Sequence, residues 1–257
     1  MLKQFKRFYS TAKKFPLQYI SDLHIDVKGA IMPKITPVSP YLGICGDIGN
    51  PTHANFGLFL TEMSKQFKKV FFVPGNHDFD CGSIYQKEKV NLYEPIIKDI
   101  CRSLGNVYYM NRDLYHLTEK TIVLGATLWS RPTADNVEYS GDSETYSSHV
   151  VEHRNHLKWI EQTIKQNNNK KIIVLTHFLP TFKLIEKKYQ QRGLKITSRY
   201  ATDLEYMIKD PITAWLCGHS HSVIECQING IYCGLNATGY PSEKSQITQQ
   251  IKTIEFE

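Results

Sequence analysis

The chain has 257 residues, 41% hydrophobic and 22% charged, which is ordinary for a globular protein and enough for one sizeable buried core. No apolar run approaches the roughly 18–20 residues of a membrane-crossing helix, so no membrane partner is expected. The formal charge of +6 is uneven: residues 1–14 hold Lys3, Lys6, Arg7, Lys13 and Lys14 and no acid, and taking these five away leaves 26 basic against 25 acidic residues. A nearly neutral body lacks the basic footprint of a nucleic-acid binder, so a nucleic-acid partner is not expected either.

Residues 1–14 read as a basic leader or arm and residues 15–257 as one domain. The leader carries hydroxyl side chains and no acid, as organellar transit peptides do, and Arg7-Phe8-Tyr9-Ser10 resembles a mitochondrial processing site with cleavage after Tyr9. Cytoplasmic location is expected, with the mitochondrion as the alternative if residues 1–9 act as a transit peptide. The six cysteines form no C-x-x-C pair and no secretory signal accompanies them, so reduced thiols are expected.

In chain order, Leu17–Ile20 and Tyr41–Cys45 are short apolar runs of the kind buried strands make, ending at Asp22-Leu23-His24 and Gly46-Asp47. Residues 55–67 space Phe56, Phe59, Leu60, Met63 and Phe67 as a helix does. The run Val70–Val73 ends at Gly75-Asn76-His77-Asp78. A second helical stretch covers 84–104 and is interrupted at Pro95, followed by strand-like Val107–Met110 and Thr121–Leu124. Arg131 to Ser148 is polar and aperiodic, and reads as a long loop overhanging the strand ends, where Arg131 or Arg154 would meet an anionic substrate.

A third helix is expected over 150–164, and 167–171 is a polar turn. On that helix His149, His153 and His156 fall on one face. Without a Glu base or third ligand they read as a solvated face, and His53 and His116 also lie outside the clusters. Ile172–Leu175 ends at Thr176-His177, and Ala214–Cys217 ends at Gly218-His219-Ser220-His221. Cys45 and Cys217, closing apolar runs, read as core residues rather than ligands. From Ser222 to Phe256 short apolar runs alternate with Gly and Asn turns, a pattern of antiparallel strands. Parallel-type units followed by hairpins suggest two facing sheets with helices outside.

Ligands gather at the carboxyl ends of strands in such sheets. The five polar clusters therefore bring candidate chemistry together: Asp22, His24, Asp47, Asn76, His77, His177, His219 and His221. In extended backbone, residues two apart face the same way, so Asp22 pairs with His24, and His219 with His221, with Ser220 turned away. Gly46, Gly75 and Gly218 precede these residues and let the chain turn sharply.

Asp-x-His, Gly-Asp, Gly-Asn-His-Asp, His and Gly-His-x-His, in this order from about Leu17 to Tyr240, resemble the calcineurin-like metallophosphoesterase superfamily. The resemblance implies an α/β fold, a four-layer αββα sandwich of two mixed sheets flanked by helices. It implies two divalent or mixed-valence transition metal ions (Mn, Fe, Zn or Ni), with Asp22, His24 and His221 on the first, Asn76, His177 and His219 on the second, and Asp47 bridging. It further implies hydrolysis of a phosphomonoester or phosphodiester by in-line attack of a metal-bridging hydroxide, with His77 as general acid for the leaving oxygen and a small phosphorylated substrate as partner. A carboxylate would keep His77 protonated; Asp47 through its second oxygen is one candidate, and the role of Asp78 stays open.

Departures narrow the branch. Protein Ser/Thr phosphatases extend Gly-Asp into Gly-Asp-x-x-Asp-Arg-Gly and follow Asn-His with Glu, whereas this chain reads Gly46-Asp47-Ile48-Gly49-Asn50-Pro51 and has Asp78. Purple acid phosphatases place Tyr where Asn50 stands. A small-phosphoesterase branch remains, and Asn236 with Gly239-Tyr240 resembles the Asn-x-x-Gly-Tyr closing motif of one such branch; Asn236 reads either as support for the site or as an ordinary turn. Two alternatives use the same fold: a nuclease, which predicts a basic groove, and a non-catalytic protein-binding scaffold, which predicts lost motif residues.

Overall fold

The structure, a computed structural model, describes residues 15–243 and 251–256, so the leader at 1–14 lies outside the described residues. Two mixed sheets face one another. One has the order β11-β1-β2-β3-β4, formed by β1 (Phe15–Ile20), β2 (Tyr41–Cys45), β3 (Lys69–Val73), β4 (Val107–Tyr109) and β11 (Thr253–Phe256). The other has the order β5-β6-β7-β8-β10-β9, formed by β5 (Asp113–His116), β6 (Thr121–Ala126), β7 (Lys171–Thr176), β8 (Ile212–Cys217), β9 (Val223–Ile228) and β10 (Ile231–Asn236). Strands β1 to β4 run parallel, as do β6, β7, β8 and β10; β11, β5 and β9 are antiparallel edges.

Strand alternation divides the core. Leu17, Tyr19, Phe71, Val73, Ile173, Leu175, Ala214 and Leu216 form one buried cluster, which is the seam between the sheets. The intervening residues, among them Leu42, Ile44, Phe72, Val174 and Trp215, join the helix-facing cluster. Because both faces are covered, these strands read as unbroken apolar runs.

The helices are α1 (Ala54–Gln66), α2 (Lys87–Leu104) and α3 (Ser143–Gln166), with two single-turn helices, α4 (Lys187–Gln190) and α5 (Leu194–Thr197). Helix α1 buries Phe56, Phe59, Leu60 and Met63, and the Phe56 ring meets Phe72 of β3 at 5.9 Å. Helix α2 runs through Pro95 without a break and stops at Gly105, whose φ of +73° only glycine adopts readily. Helix α3 starts seven residues before the periodicity suggests, because Asp142 caps it by accepting the Thr145 N–H. The end of the chain is only partly antiparallel: β9 and β10 form a hairpin, but β10 lies parallel to β8. Among the described residues no helix is long and apolar enough to cross a membrane.

Candidate metal centre

The carboxyl ends of β1, β2, β3, β7 and β8 meet at one edge of the sandwich, stitched together by main-chain bonds. Asp22 N–H donates to Gly46 O at 2.9 Å, and Gly218 N–H to His177 O at 2.9 Å. The two sheets join there as well: Ser21 N–H donates to Asn236 O at 3.0 Å, and Asn236 Nδ2 donates to Tyr19 O at 2.8 Å. Asn236 therefore ties the tip of β10 to the residues that lead into Asp22.

Two groups of donor atoms result. One atom each from Asp22, His24, Asp47 and His221 lie within 4.8 Å of one another, and so do atoms of Asp47, His177 and His219. Asp47 belongs to both. Asn76 Oδ1 lies 2.9 Å from His177 Nε2, beside the second group. Asp22, His24, Asp47, Asn76 and His177 are all at most 1% exposed.

The local conformation differs from the extended backbone that the spacing suggests. Asp22 (φ 56°), His24 (46°), Asp47 (58°), His219 (74°) and His221 (42°) are all left-handed, so the paired residues converge through tight turns rather than strand alternation. Ser220 lines the same cavity as its two neighbours, with its Oγ buried. Of the three glycines only Gly46 has a positive φ, +86°. Gly75 and Gly218 serve close approach: a Cβ on Gly75 would sit 2.1 Å from Asp47 Oδ1, and one on Gly218 would sit 2.7 Å from Asp22 Oδ2.

The donor set fits cations. His24 Nδ1 and His219 Nε2 are buried without a hydrogen-bond partner, and the Nε2 atoms of His24 and His221 face each other at 2.9 Å. Ring nitrogens so placed are costly in a dry site and are relieved by a shared positive ion. Imidazole, carboxylate and amide oxygen together suit first-row transition metals better than Ca or Mg. Positive charge is favoured at His177: burial alone would lower it, but Asp47 at 3.3 Å overrides this and raises its pKa to about 9. Burial opposes ionisation of Asp47, yet His177 and His77 hold it well below the usual carboxylate range. Burial lowers His24 to about 3.

Asp78 has a clear place. Its carboxylate accepts the main-chain N–H of Asp47 (2.8 Å), Gly75 (2.7 Å) and Gly49 (3.0 Å), locking the turn after β2 to the turn after β3. Burial and the neighbouring Asp47 push its pKa up to about 8, against the pull of the Gly49 and Gly75 N–H groups. Both oxygens face N–H donors, so a carboxyl proton would cost a bond, and the geometry favours the carboxylate.

His77 lies just after Asn76 and lines the cavity. Its ring does not use Asp47: the His77 main-chain N–H donates to Asp47 Oδ1 at 2.9 Å, while Nε2 shares a hydrogen bond with Tyr240 Oη at 3.0 Å. The Tyr240 ring also packs on His24, with centroids 4.2 Å apart. His221 Nδ1 donates to Glu243 Oε2 at 2.8 Å, which leaves Nε2 toward the donor cluster. No sequence pattern pointed to Glu243. Cys45 and Cys217 are buried, as core residues should be, and Cys45 contributes its main-chain oxygen, which accepts from His177 Nδ1 at 2.8 Å.

The predicted solvated histidine face is instead buried. His149, His153 and His156 are at most 1% exposed; His153 and His156 hold the chain that leaves β6, and His149 holds the main chain at Tyr85. His149 Nδ1 accepts from Tyr85 N–H, His156 Nδ1 accepts from Leu128 N–H, and His153 Nδ1 lies 3.1 Å from Leu128 O. The segment that His153 and His156 grip, Leu128-Trp129, is left-handed at both residues (φ 73° and 53°), and the Trp129 ring packs on Phe178, which packs on His219. The 131–148 stretch does not overhang the site: it braces the segment after β7, with Arg199 Nε on Asn136 Oδ1 and Asn136 Nδ2 on Lys195 O. Neither Arg131 nor Arg154 lines the cavity. The wall there comes from residues between Ile185 and Tyr200, beside a cavity of about 550 Å³ that opens onto Asp47, His77, His219 and His221.

The profile of the calcineurin-like phosphoesterase family matches residues 17–223. The chain is 30% identical to uncharacterized protein L509 of Acanthamoeba polyphaga mimivirus over 264 aligned positions, covering 89% of this chain and 92% of that protein. Its fold is similar to that of phosphopantetheinyl hydrolase (PptH) from Mycobacterium tuberculosis, with a TM-score of 0.69 at 18% identity over 93% of this chain and 95% of that one. It is also similar to TT1561 of Thermus thermophilus, with a TM-score of 0.54 at 11% identity over 87% of this chain and 89% of that one.

Proposed function

The chain belongs to the calcineurin-like phosphoesterase family, and we propose that it is a dinuclear metal-dependent phosphoesterase that hydrolyses a small phosphomonoester or phosphodiester. The observation that carries this reading is the pair of donor clusters sharing Asp47 at the floor of a cavity. Asp22, His24 and His221 hold one ion, Asn76, His177 and His219 the other, and Asp47 both. When bound, such ions make water a nucleophile at neutral pH and offset charge on the phosphoryl oxygens.

The chain's own groups do the rest. His77 protonates the leaving oxygen as general acid. Tyr240 Oη fixes the tilt of that ring, and Glu243 fixes the tautomer of His221. Asp78 sets the distance between the turns that carry Asp47 and Asn76. Mn, Fe, Zn and Ni all suit the mixed shell.

The test is hydrolysis of bis-p-nitrophenyl phosphate and p-nitrophenyl phosphate by metal-stripped protein to which Mn, Fe(II), Ni or Zn is restored, with elemental analysis of the same samples. Turnover that returns with two ions per chain supports the reading. Protein that takes up no metal and turns over neither ester overturns it.

A further inference from the structure

The cavity over the donor clusters is much larger than a phosphoryl group requires. At about 550 Å³ it falls within the range of pockets that hold a whole small molecule. One end is the donor cluster itself. The Tyr200 ring centroid lies 5.2 Å from that of His219, and Ile185, Ile196, Tyr189 and Arg192 line the same cavity.

Both glutamates along the cavity wall are already engaged. Glu186 is engaged by Lys188 at 2.7 Å and by Ser222 Oγ at 2.9 Å, and Glu243 by His221 at 2.8 Å. Arg192, in the turn between α4 and α5, has no carboxylate partner among the described residues. Its guanidinium carbon lies 4.8 Å from the Tyr189 ring centroid, a contact that orients the group without neutralising it. A fork of N–H donors held on a ring, at a wall shared with the phosphoester end, matches a planar or tetrahedral oxyanion.

We propose that the substrate is a phosphate ester whose organic body carries a second oxyanion, a phosphate or a carboxylate, and that Arg192 binds this group while the scissile ester lies at the Asp47 end. This inference rests on the phosphoesterase reading above. Ile185, Ile196 and Tyr200 cover the intervening organic body. The preference it creates is for length and for terminal charge, so esters lacking the second anion are poorer substrates.

The test uses the full chain loaded with metal and straight-chain alkyl phosphates of graded length ending in methyl, carboxylate or phosphate, with kcat/KM read from phosphate release. At the length that reaches Arg192, an oxyanion-ended ester should exceed its methyl-ended counterpart by roughly 10- to 100-fold, the scale of a charge-assisted hydrogen-bond pair. In Arg192→Gln that ratio should fall toward one, and Arg192→Lys should recover part of it. Which anionic end wins identifies the oxyanion. A ratio near one in the wild type, or one that Arg192→Gln leaves unaltered, overturns the inference. A second arm needs no turnover: calorimetric binding of alkyl bisphosphonates of the same lengths should weaken about tenfold or more in Arg192→Gln. Equal binding by wild type and variant overturns the inference. Arg192-dependent binding without turnover of any ester sustains the subsite and removes the hydrolase reading instead.

Discussion

Replacing Asp78 should loosen the metal centre although Asp78 touches no metal in the proposed arrangement. Its two oxygens accept three buried main-chain N–H groups, those of Asp47, Gly75 and Gly49, at 2.8, 2.7 and 3.0 Å. Asp78→Ala leaves all three unpaired, and at about 1.5–3 kcal/mol per bond to a charged group, discounted for relaxation, the loss is about 4–6 kcal/mol. Asp78→Asn keeps one acceptor oxygen, which can serve Asp47 and Gly75, but turns an NH₂ toward the Gly49 N–H; its cost is about 2–3 kcal/mol.

For a domain of this size about 2–4 °C of melting temperature goes with each kcal/mol, so Asn should lower Tm by roughly 4–12 °C and Ala by roughly 8–24 °C. Thermal melts with and without chelator, with elemental analysis of the purified variants, check this. Metal content should fall in the same order, wild type, Asn, Ala. If Asp78→Ala melted within about 2 °C of wild type and kept its metals, the turns would be held by the strand ends alone, and Asp78 would not be the residue that locks them.

Asp47→Asn should abolish turnover and empty both metal positions, since this carboxylate is common to both donor groups. His77→Asn should lower kcat by roughly 10²- to 10⁴-fold with metal content intact, the range for loss of a general acid; an emptied site would instead make His77 a ligand. Chelation should lower the melting temperature, because ions bound only to the folded state at about 1,000 times their Kd add about 4 kcal/mol. Acid should weaken the fold through the buried histidines: burial holds His149 to about 3 and His153 to about 4. Both stay neutral when folded but take protons in the unfolded chain below about pH 6.5, so stability is full above that value and falls as pH drops toward 4, by up to about 2 kcal/mol per histidine at pH 5. Urea midpoints at pH 7 and pH 5 should therefore move less in His149→Gln than in wild type; an equal shift would mean that His149 is already charged in the folded protein.

The strand tips were legible because covered parallel strands leave a simple mark, a short apolar run followed by polar residues, and Leu17–Ile20, Val70–Val73 and Ile172–Leu175 all lie within observed strands. The residues at those tips are the ones the structure brings together. Periodicity served less well where contact partners decide. His149, His153 and His156 look alike to a hydropathy pattern whether they face water or bond the main chain of residues 85 and 128. The 131–148 stretch bonds residues 195–202, through the Asn136 side chain and the Arg131 main-chain N–H, rather than covering a site. Tyr240 and Glu243 reach His77 and His221 across 163 and 22 positions, distances at which no local pattern operates.

Left-handed turns at the strand tips also bear on why this site takes these residues. Asp22, His24, Asp47, His219 and His221 occupy a backbone region where glycine is easiest, and each non-glycine residue there costs about 1–2 kcal/mol. Glycine at any of them would relax the turn and delete a donor, so the conformation is retained against a local cost that the site itself must offset. Asp is among the residues that tolerate this region best, which fits Asp22 and Asp47, but the histidines need outside support. Part of it is visible: Asp22 accepts the His219 N–H on both oxygens at 3.0 and 2.9 Å, His24 N–H donates to Asp47 O at 3.1 Å, and Glu243 holds His221. The remainder is what bound cations would supply. It follows that His221→Gly should cost the fold less in metal-free protein than in metal-loaded protein, because only the loaded form loses a ligand as well as gaining a relaxed turn. Melting curves of both forms measure the difference, and an equal or larger loss in the metal-free protein would show that His221 is held for its packing on Tyr240 rather than for a metal.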